Sequence, residues 1–350
     1  MRILGIETSC DETAAAVVTE EGAVLSDIVH SQIAIHAPWG GIVPELAARD
    51  HLVNVVPVIG AALEAANVTL DELDGVAVTV RPGLAGALLV GAQIAKTIAW
   101  SRGLPLVGVD HLVGHLLAVY LRRAGAPPAP EFPYVALLAS GGHTALYRVD
   151  GPLAANIREL GATRDDAAGE AFDKVAKLLG LGYPGGPIVD RLAAEGDPRA
   201  LELPRAMMNG SLEFSFSGVK TWVARHVATE GRPKDDRAMA DLCASFQRAV
   251  VEVLARKVVQ AAVAEGVTRV VLSGGVAANR GLRARAAALC EKAELALFVP
   301  PPASCTDNAA MIAYAGAMRF AAGERDDLHL TTSTRTSLPR VTRKGRGLRG

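Results

Sequence analysis

The sequence predicts an α/β protein built from two similar lobes, and three observations support this prediction. Half of the 350 residues are hydrophobic but only 4% are aromatic, which is typical of helices rich in Ala, Val and Leu packed on buried strands. A chain of this length is long enough for two domains. One order of predicted strands and helices also occurs twice along the chain.

The first lobe is predicted to follow a βββαβαβ order. Two short apolar runs at 2–8 and 13–19 form a hairpin around Ser9–Glu12, and a third strand covers about 23–30. Pro44 is well placed at the start of a helix that extends to about residue 66. The lobe is completed by a strand at 75–80, a helix at about 85–101 and a strand at 105–109.

The second lobe repeats this order after the Pro- and Ala-rich break at 125–130. Strands at 134–139 and 144–149 form a hairpin around Ser140–His143, and a third strand lies near 155–160. The remaining predicted elements are helices at about 168–179, 187–195 and 238–265, a strand at 269–273, a helix at about 278–291, a strand at 296–299 and a helix from 307 to about 322. This duplication matches the actin, sugar kinase and Hsp70 architecture, in which nucleotide binds between the lobes.

The domain boundaries follow from this pattern. Residues 1–130 form the N-terminal lobe, and the helix at about 307–323 is expected to return to it. Residues 131–306 form the C-terminal lobe, which the polar segment 199–236 interrupts as an insertion. Residues 331–350 contain six Arg or Lys and no acid, so they are expected to form a flexible basic tail that either is inert or attracts RNA phosphates.

Composition also limits the class of protein. With 36 basic and 37 acidic residues, the net charge of −1 gives no sign of a nucleic-acid partner, so any RNA contact must use a local patch. The four cysteines form no CxxC pair, which argues against a disulfide framework and a zinc knuckle. The apolar stretch Gly83–Trp100 is interrupted by Gln93 and Lys96, so we expect no membrane span and a cytoplasmic protein.

Two histidines suggest a metal site. His111 and His115 follow the strand that ends at Asp110 and open a helix, so their side chains share one face. Histidines at this spacing are also found as a packing or capping arrangement without metal. Gly114 between them weakens a helix by about 1 kcal/mol relative to Ala, which suggests that something approaches the backbone there. The zinc peptidase pattern HExxH requires a glutamate where this chain has Leu112, so a peptidase lacks its base.

Asp307 is the best candidate for a third ligand, because it stands at the start of a predicted helix and offers a hard oxygen donor. Its alternative role is that of a helix N-cap. Two histidines and one carboxylate leave coordination positions open, as Fe(II) or catalytic zinc requires.

Three glycine-rich loops are candidates for binding a nucleotide. Ser140–Thr144 joins two strands, and Ser273–Arg280 leads from a buried strand into a helix, where backbone N–H groups can approach an anion. Gly182–Pro187 is a third such loop, and Asp173 precedes it on a helix. Each Ser-Gly-Gly turn is also common as a plain tight turn, and Asp173 has the alternative of pairing with a neighbouring lysine. The GxxxxGK[ST] pattern is absent, which excludes P-loop chemistry.

The motifs together resemble one family, the universal tRNA threonylcarbamoyladenosine transferases, in their bacterial TsaD branch. The resemblance covers roughly residues 1–325, in order and without large gaps. The matching segments are Glu7–Thr13, Gly41–Ala47, Arg49–His51, His111–His115, Ser140–Thr144, Tyr183–Pro187 and Ser273–Arg280.

The resemblance implies a set of site residues. It makes His111, His115 and Asp307 the ligands of one divalent metal, with Fe(II) the usual assignment and zinc the second choice. The residues that it places around the nucleotide-linked substrate are Leu138, Ala139, Ser140, Gly141, Gly142, Asp173, Gly186, Asp190 and Asn279. Asp11 and Glu12 are candidates for a proton acceptor by their location only.

The resemblance also implies the reaction and its partners. The donor is threonylcarbamoyl-AMP, and the acceptor is the N6 amine of the adenosine directly 3′ of the anticodon in tRNAs that read codons beginning with A. A TsaB-like inactive paralogue and a TsaE-like ATPase are the expected partner proteins. The competing interpretations are an ATPase or kinase of the actin-like fold without a tRNA role, a carbamoyltransferase of hydrogenase maturation, and a binding or chaperone module without catalysis.

Overall fold

The computed structural model describes residues 1–342. Its ten strands are β1 (Arg2–Glu7), β2 (Glu12–Thr19), β3 (Val24–Ser31), β4 (Gly75–Arg81), β5 (Leu106–Asp110), β6 (Tyr134–Ala139), β7 (Thr144–Val149), β8 (Ile157–Ala162), β9 (Arg269–Ser273) and β10 (Ala296–Phe298). Its α-helices are α1 (Ile33–His36), α2 (Pro44–Ala66), α3 (Ala85–Arg102), α4 (His111–Leu117), α5 (Ala168–Leu179), α6 (Gly185–Ala193), α7 (Ser217–Glu230), α8 (Asp236–Ala264), α9 (Arg280–Lys292), α10 (Pro302–Cys305) and α11 (Ala309–Ala321).

The chain divides into two compact units. Unit 1 consists of Met1–Ala129, Gly151–Ile157 and Pro300–Leu338. Unit 2 consists of Pro130–Asp150, Arg158–Val299 and the C-terminal segment from Pro339. Helix α11, expected to return to the first lobe, therefore belongs to unit 1.

Unit 1 contains a five-stranded sheet in the order β3-β2-β1-β4-β5. Strand β1 pairs antiparallel with β2 and parallel with β4, as expected for a hairpin followed by βα units. Helix α11 packs against β1 and β4. This contact is close, because a Cβ atom at Gly5 would lie 2.3 Å from the carbonyl oxygen of Ala309, and one at Gly316 would lie 2.3 Å from Cβ of Ala77.

Unit 2 contains a second five-stranded sheet in the order β10-β9-β6-β7-β8. Read from its other edge, the order is β8-β7-β6-β9-β10. This matches β3-β2-β1-β4-β5 of unit 1 strand for strand. Strand β6 pairs antiparallel with β7 and parallel with β9. The duplicated two-lobe α/β fold predicted from the sequence is thereby confirmed.

Two regions differ from the sequence expectations. The segment 199–236 contains helix α7, which buries only Val219 and Val223, so its apolar pattern is too weak to predict a helix. The segment 331–350 was expected to be a flexible tail. Over its described part, Ser333 N–H donates to the Val80 carbonyl, Thr336 Oγ1 donates to Asp110, and the Thr342 N–H donates to Glu159. Residues 343–350 lie outside the described residues.

Helix α2 is long and apolar enough to cross a membrane by length and composition alone. It carries Glu45, Arg49 and Asp50 in its first two turns and packs against β2, β3 and α3 within unit 1. A helix packed in this way is an ordinary layer of an α/β unit.

Candidate functional site

His111, His115 and Asp307 come together in unit 1. One possible ligand atom from each lies within 4.8 Å of the others. The His115 Nε2 atom is 2.9 Å from Asp307 Oδ1, and the His111 Nε2 atom is 3.6 Å from Asp307 Oδ2. Both imidazoles are almost completely buried. Two imidazole nitrogens and one carboxylate are a donor set that suits Fe(II) or zinc and leaves positions open for substrate.

The two histidines are positioned by the start of helix α4. Strand β5 ends at Asp110, whose carboxylate caps the helix by accepting from the Leu112 N–H at 3.0 Å. The rings of His111 and His115 then lie with their centroids 4.6 Å apart. The sequence suggested that something approaches Gly114, and the structure identifies it as helix α11: a Cβ atom at Gly114 would lie 2.9 Å from Cδ1 of Ile312.

Asp307 is not the N-cap of helix α11. That task belongs to Asn308, whose side chain accepts from the Met311 N–H at 3.0 Å. The Asp307 carboxylate is therefore available to the imidazoles. Burial by itself raises its pKa, but the neighbouring His111 and then His115 hold the pKa of Asp307 well below its usual value.

Glu7 is a site residue for which the sequence analysis gave no role. Its carboxylate is almost completely buried, lies 2.9 Å from His111 Nδ1, and accepts from Thr79 Oγ1 at 2.6 Å and from the Ser9 N–H. Burial raises the pKa of Glu7, but His111 outweighs it and the pKa is lowered overall. A carboxylate in this position fixes the ring orientation of His111 and directs its Nε2 atom towards Asp307.

Asp11 lies in the loop between β1 and β2, and Glu12 is the first residue of β2. Burial, and then the carboxylates of Asp307 and Asp11, raise the pKa of Glu12 well above its ordinary value. A cation at the histidine cluster would oppose this shift, because it adds a positive charge beside the carboxylates.

In unit 2, the two Ser-Gly-Gly loops lie side by side. Strands β6 and β9 are adjacent and parallel, so the loops that follow them leave the same edge of the sheet. Gly274 has φ +83° and approaches the Ala139 carbonyl oxygen, to which a Cβ atom would be 2.4 Å away. A Cβ atom at Gly141, Gly142 or Gly275 would meet nothing within 4 Å. Glycine at these three positions leaves open space in which a ligand can reach the backbone.

The other predicted substrate residues of unit 2 are joined to these loops. The Ser140 carbonyl accepts from the Gly169 N–H at 3.2 Å, next to the start of α5. Asp173 on α5 accepts from the Gly185 N–H at 2.7 Å, which ties α5 to the first turn of α6, where Gly186 lies. Lys174, one of the two lysines that the sequence offers as a partner for Asp173, binds Asp166 and Glu170.

Asp190 and Asn279 are both engaged by neighbouring side chains. Arg280 binds the Asp190 carboxylate through Nε at 2.8 Å. Asn279 caps α9 by accepting from the Leu282 N–H, and its Nδ2 donates to Gln247 Oε1 at 2.7 Å. Sequence reasoning missed Gln247, which stands inside a long helix where only the fold reveals its partner. Leu138 and Ala139 have fully buried side chains, so only their backbone can face a ligand.

The model of one protein family, the tRNA N6-adenosine threonylcarbamoyltransferase TsaD, matches residues 23–314. The chain belongs to the TsaD family. A TsaD relative from Sorangium cellulosum, named tRNA N6-adenosine threonylcarbamoyltransferase, is 71% identical over the full length of both chains. A relative of the same name from Geobacter metallireducens is 55% identical over 94% of this chain and 95% of its own. The TsaD chain described here is therefore a transferase that forms threonylcarbamoyladenosine (t6A) in tRNA.

Solved structures confirm the fold of this TsaD chain. HypF from T. kodakarensis is similar with a TM-score of 0.61 at 14% identity, over 94% of this chain and 49% of its own. Component A of (R)-2-hydroxyglutaryl-CoA dehydratase from Acidaminococcus fermentans is similar with a TM-score of 0.53 at 17% identity, over 91% of this chain and 99% of its own. Likeness at this level of identity shows the architecture alone.

Proposed function

We propose that this chain transfers the threonylcarbamoyl group from threonylcarbamoyl-AMP to the N6 amine of the adenosine directly 3′ of the anticodon, in tRNAs that read codons beginning with A. The observation that carries the proposal is the convergence of His111, His115 and Asp307 in a chain of the TsaD family. ATP sites of actin-like ATPases hold magnesium through carboxylates, phosphates and water, so two histidines disfavour that alternative.

The cluster fits one divalent metal ion, for which we propose Fe(II), with zinc as the second choice. Its donor set matches both ions, and Glu7 supplies the outer carboxylate that orients a histidine ligand. An ion held by these residues would supply a Lewis acid, which can polarise a carbonyl or phosphoryl oxygen of a substrate.

The residues of unit 2 suit the nucleotide part of the donor. The open backbone at Gly141, Gly142 and Gly275 can offer N–H groups to phosphate oxygens. Gln247 holds the Asn279 side chain and Arg280 holds the Asp190 side chain, so both side chains have fixed orientations before the donor binds.

Placement, more than base strength, is proposed to dominate the rate. The exocyclic amine of adenine is a weak nucleophile because its lone pair is delocalised, while the mixed anhydride of an adenylate is already reactive. Holding the two groups within reacting distance provides a large part of the acceleration. Asp11 and Glu12 remain the candidates for the group that accepts the amine proton.

We further propose that the chain works in the cytoplasm with a TsaB-like paralogue and a TsaE-like ATPase. Leu52, Val53 and Val56 on helix α2 are strongly exposed apolar side chains within five positions. Exposed apolar side chains grouped in this way support contact with a partner protein.

The metal assignment is tested with His111→Ala, His115→Ala and Asp307→Ala, and with His329→Ala as an exposed control. Each ligand variant should lose bound metal and transfer activity after anaerobic purification while keeping its circular dichroism spectrum, because the three residues share one ion. The control should keep both. Full metal occupancy in all three ligand variants would contradict the assignment.

The donor assignment is tested separately by calorimetry with a non-reactive analogue of the adenylate. Asn279→Ala and Gly141→Val should weaken analogue binding while metal content stays unchanged. Gly218→Val, at a glycine where a Cβ atom also meets nothing within 4 Å, is the matched control. Equal analogue affinity in the Gly141 variant, the Asn279 variant and the control would count against a donor site in unit 2.

A further inference from the structure

The segment between β3 and α2 exposes an aromatic ring to solvent. Trp39 ends a short 3-10 turn, and 62% of its surface is exposed. Ile35 and Ile42 in the same segment are also exposed. Three exposed apolar side chains within eight residues form a local surface that differs from an isolated surface residue.

Buried polar side chains hold this segment in one conformation. His36 Nδ1 accepts from the Val43 N–H at 3.3 Å, so its proton is on Nε2, which donates to Gln32 Oε1 at 3.1 Å. His36 therefore joins both ends of the segment that carries Trp39. Gln32 and His36 are both fully buried, and a satisfied buried network of this kind rigidifies the backbone around it.

The same network continues to the loop of the candidate site. The Gln32 side-chain amide lies 3.4 Å from His51, whose Nε2 donates to the Cys10 carbonyl at 3.0 Å. The Gln32 N–H also donates to the Asp11 carbonyl at 2.9 Å. In that same loop, Ser9 Oγ lies 3.3 Å from His111 Nδ1. The Trp39 segment and the metal cluster are thus parts of one connected structure in unit 1.

Trp39 is close to this network along the chain. It is three residues from His36, and three residues of fully extended chain span at most about 11 Å. Trp100 is also exposed, but it lies near the far end of α3. The start of α3 lies next to the loop between β1 and β2, because the Leu84 N–H donates to the Ser9 carbonyl. About 15 helical residues, or about 22 Å, separate Trp100 from this end of α3.

We propose that Trp39 stacks on a base of the tRNA anticodon loop next to the adenosine that is modified. The proposal rests on the anticodon-loop position of the adenosine given above. Proteins recognise single-stranded RNA loops by splaying out their bases and stacking them on aromatic side chains. An adenosine that enters the site loses the stacking of its neighbour in the loop, and the Trp39 ring replaces it.

The first test is steady-state transfer by the complete enzyme. Trp39→Ala should raise KM for tRNA by about 5- to 150-fold, the range expected for removal of one base stack, while KM for the donor and metal content stay unchanged. Trp39→Tyr should restore most of the affinity and Trp39→Leu should not, since leucine is apolar but has no ring. Trp100→Ala, assayed in the same way, is the control, and its KM for tRNA should match that of the wild type.

Three results would overturn the proposal. An unchanged KM for tRNA in Trp39→Ala would show that the ring makes no RNA contact. Equal rescue by leucine and tyrosine would show apolar packing without stacking. Loss of activity that excess partner protein restores would show that the segment binds a protein.

A second test does not depend on the donor or the metal. An anticodon stem-loop with 5-iodouridine beside the reactive adenosine should form a photo-crosslink to the wild-type peptide that contains Trp39, and none in Trp39→Leu. Crosslinks that map only to other peptides of the wild-type chain would overturn the proposal. Failure of the proposed donor or metal assignment would leave this crosslink unaffected, so the two failures are distinguishable.

Discussion

Asn308 caps helix α11 and Asp110 caps helix α4, and these two assignments explain why the neighbouring residues are available for metal. In each case the residue next to the cap, Asp307 or His111, has no role in closing the helix end. In each pair, one residue caps the helix and its neighbour is available as a metal ligand. Because the capped helix ends are rigid, the neighbouring Asp307 and His111 can move only a little.

At this scale, Glu7 gives a direct prediction. Glu7→Gln keeps the shape of the side chain but removes the charge that accepts from His111 Nδ1, so metal affinity should fall by about 10- to 100-fold. Competition with a chelator measures the affinity without any activity assay. Thr79→Val, which removes only a hydrogen bond to Glu7, should have a smaller effect. Equal affinities in the wild type and Glu7→Gln would show that the carboxylate does not orient the ligand.

Lys257 in unit 2 gives a prediction about pH. Its ammonium group is buried, donates to the carbonyls of Met207 and Ser211, and lies 5.5 Å from the Phe214 ring centroid. Burial lowers the pKa of Lys257 from 10.5 to about 8. The folded state therefore holds fewer protons than the unfolded state between about pH 8 and pH 10.5, and stability from this group is lost as the pH falls through that window.

The measurement is the free energy of unfolding of the wild type minus that of Lys257→Met at several pH values. This difference should rise by up to about 1.4 kcal/mol per pH unit between about pH 8 and pH 10. Subtracting the variant removes the contribution of other titrating groups. A difference that stays constant over this range would mean that the lysine keeps its ordinary pKa when buried.

At the scale of elements, the contact between α11 and β1 determines where Asp307 lies. The helix approaches so closely that a Cβ atom added at Gly5 would have backbone atoms of Ala309 and Ala313 within 2.7 Å. Backbone cannot move aside as a flexible side chain can. The start of α11, with Asp307 just before it, is therefore fixed relative to the strand that ends at Glu7.

Gly5→Ala should accordingly lower the free energy of unfolding by about 1–3 kcal/mol or more, since overpacking a rigid contact has this cost. It should also weaken metal binding, because α11 has to shift. Gly60→Ala is the control: it lies on an exposed face of α2 where a Cβ atom meets nothing within 4 Å, and it should stabilise the helix by up to about 1 kcal/mol. Chemical denaturation of both variants measures the difference, and equal stabilities would refute the packing argument.

At the scale of the whole molecule, the sequence predicts the repeated architecture well. The spacing of hydrophobic residues differs clearly between strands and helices in both halves of the chain. Strands β6, β7 and β9 and helix α5 lie at the predicted residues. Helix α7 was missed because only two of its side chains are buried. Partners distant in sequence, such as Gln247 for Asn279 or Glu7 for His111, depend on how elements pack, and no local pattern contains that information.

The C-terminal segment shows the same limit and leads to a whole-chain prediction about tRNA. The sequence suggested one basic tail over 331–350, but Thr336 and Ser337 bond to Asp110, the cap of the helix that carries the two histidines. Removing 331–350 should therefore reduce stability and metal binding as well as any RNA contact. The basic residues Arg343, Lys344, Arg346 and Arg349 follow this packed part in the sequence.

Deletion of residues 343–350 alone separates these effects. It removes four positive charges from a chain whose net charge is −1, so tRNA affinity should fall while metal content and thermal stability stay unchanged. For each RNA phosphate that the shortened chain no longer neutralises, the slope of log affinity against log salt should become shallower by about 0.7–0.9. Binding titrations at several salt concentrations, with a variant that replaces the same four residues by glutamine as a control of full length, measure the slope. If both variants keep the wild-type slope, the terminal charges do not touch the RNA, and the RNA surface lies elsewhere on the chain or on its partners.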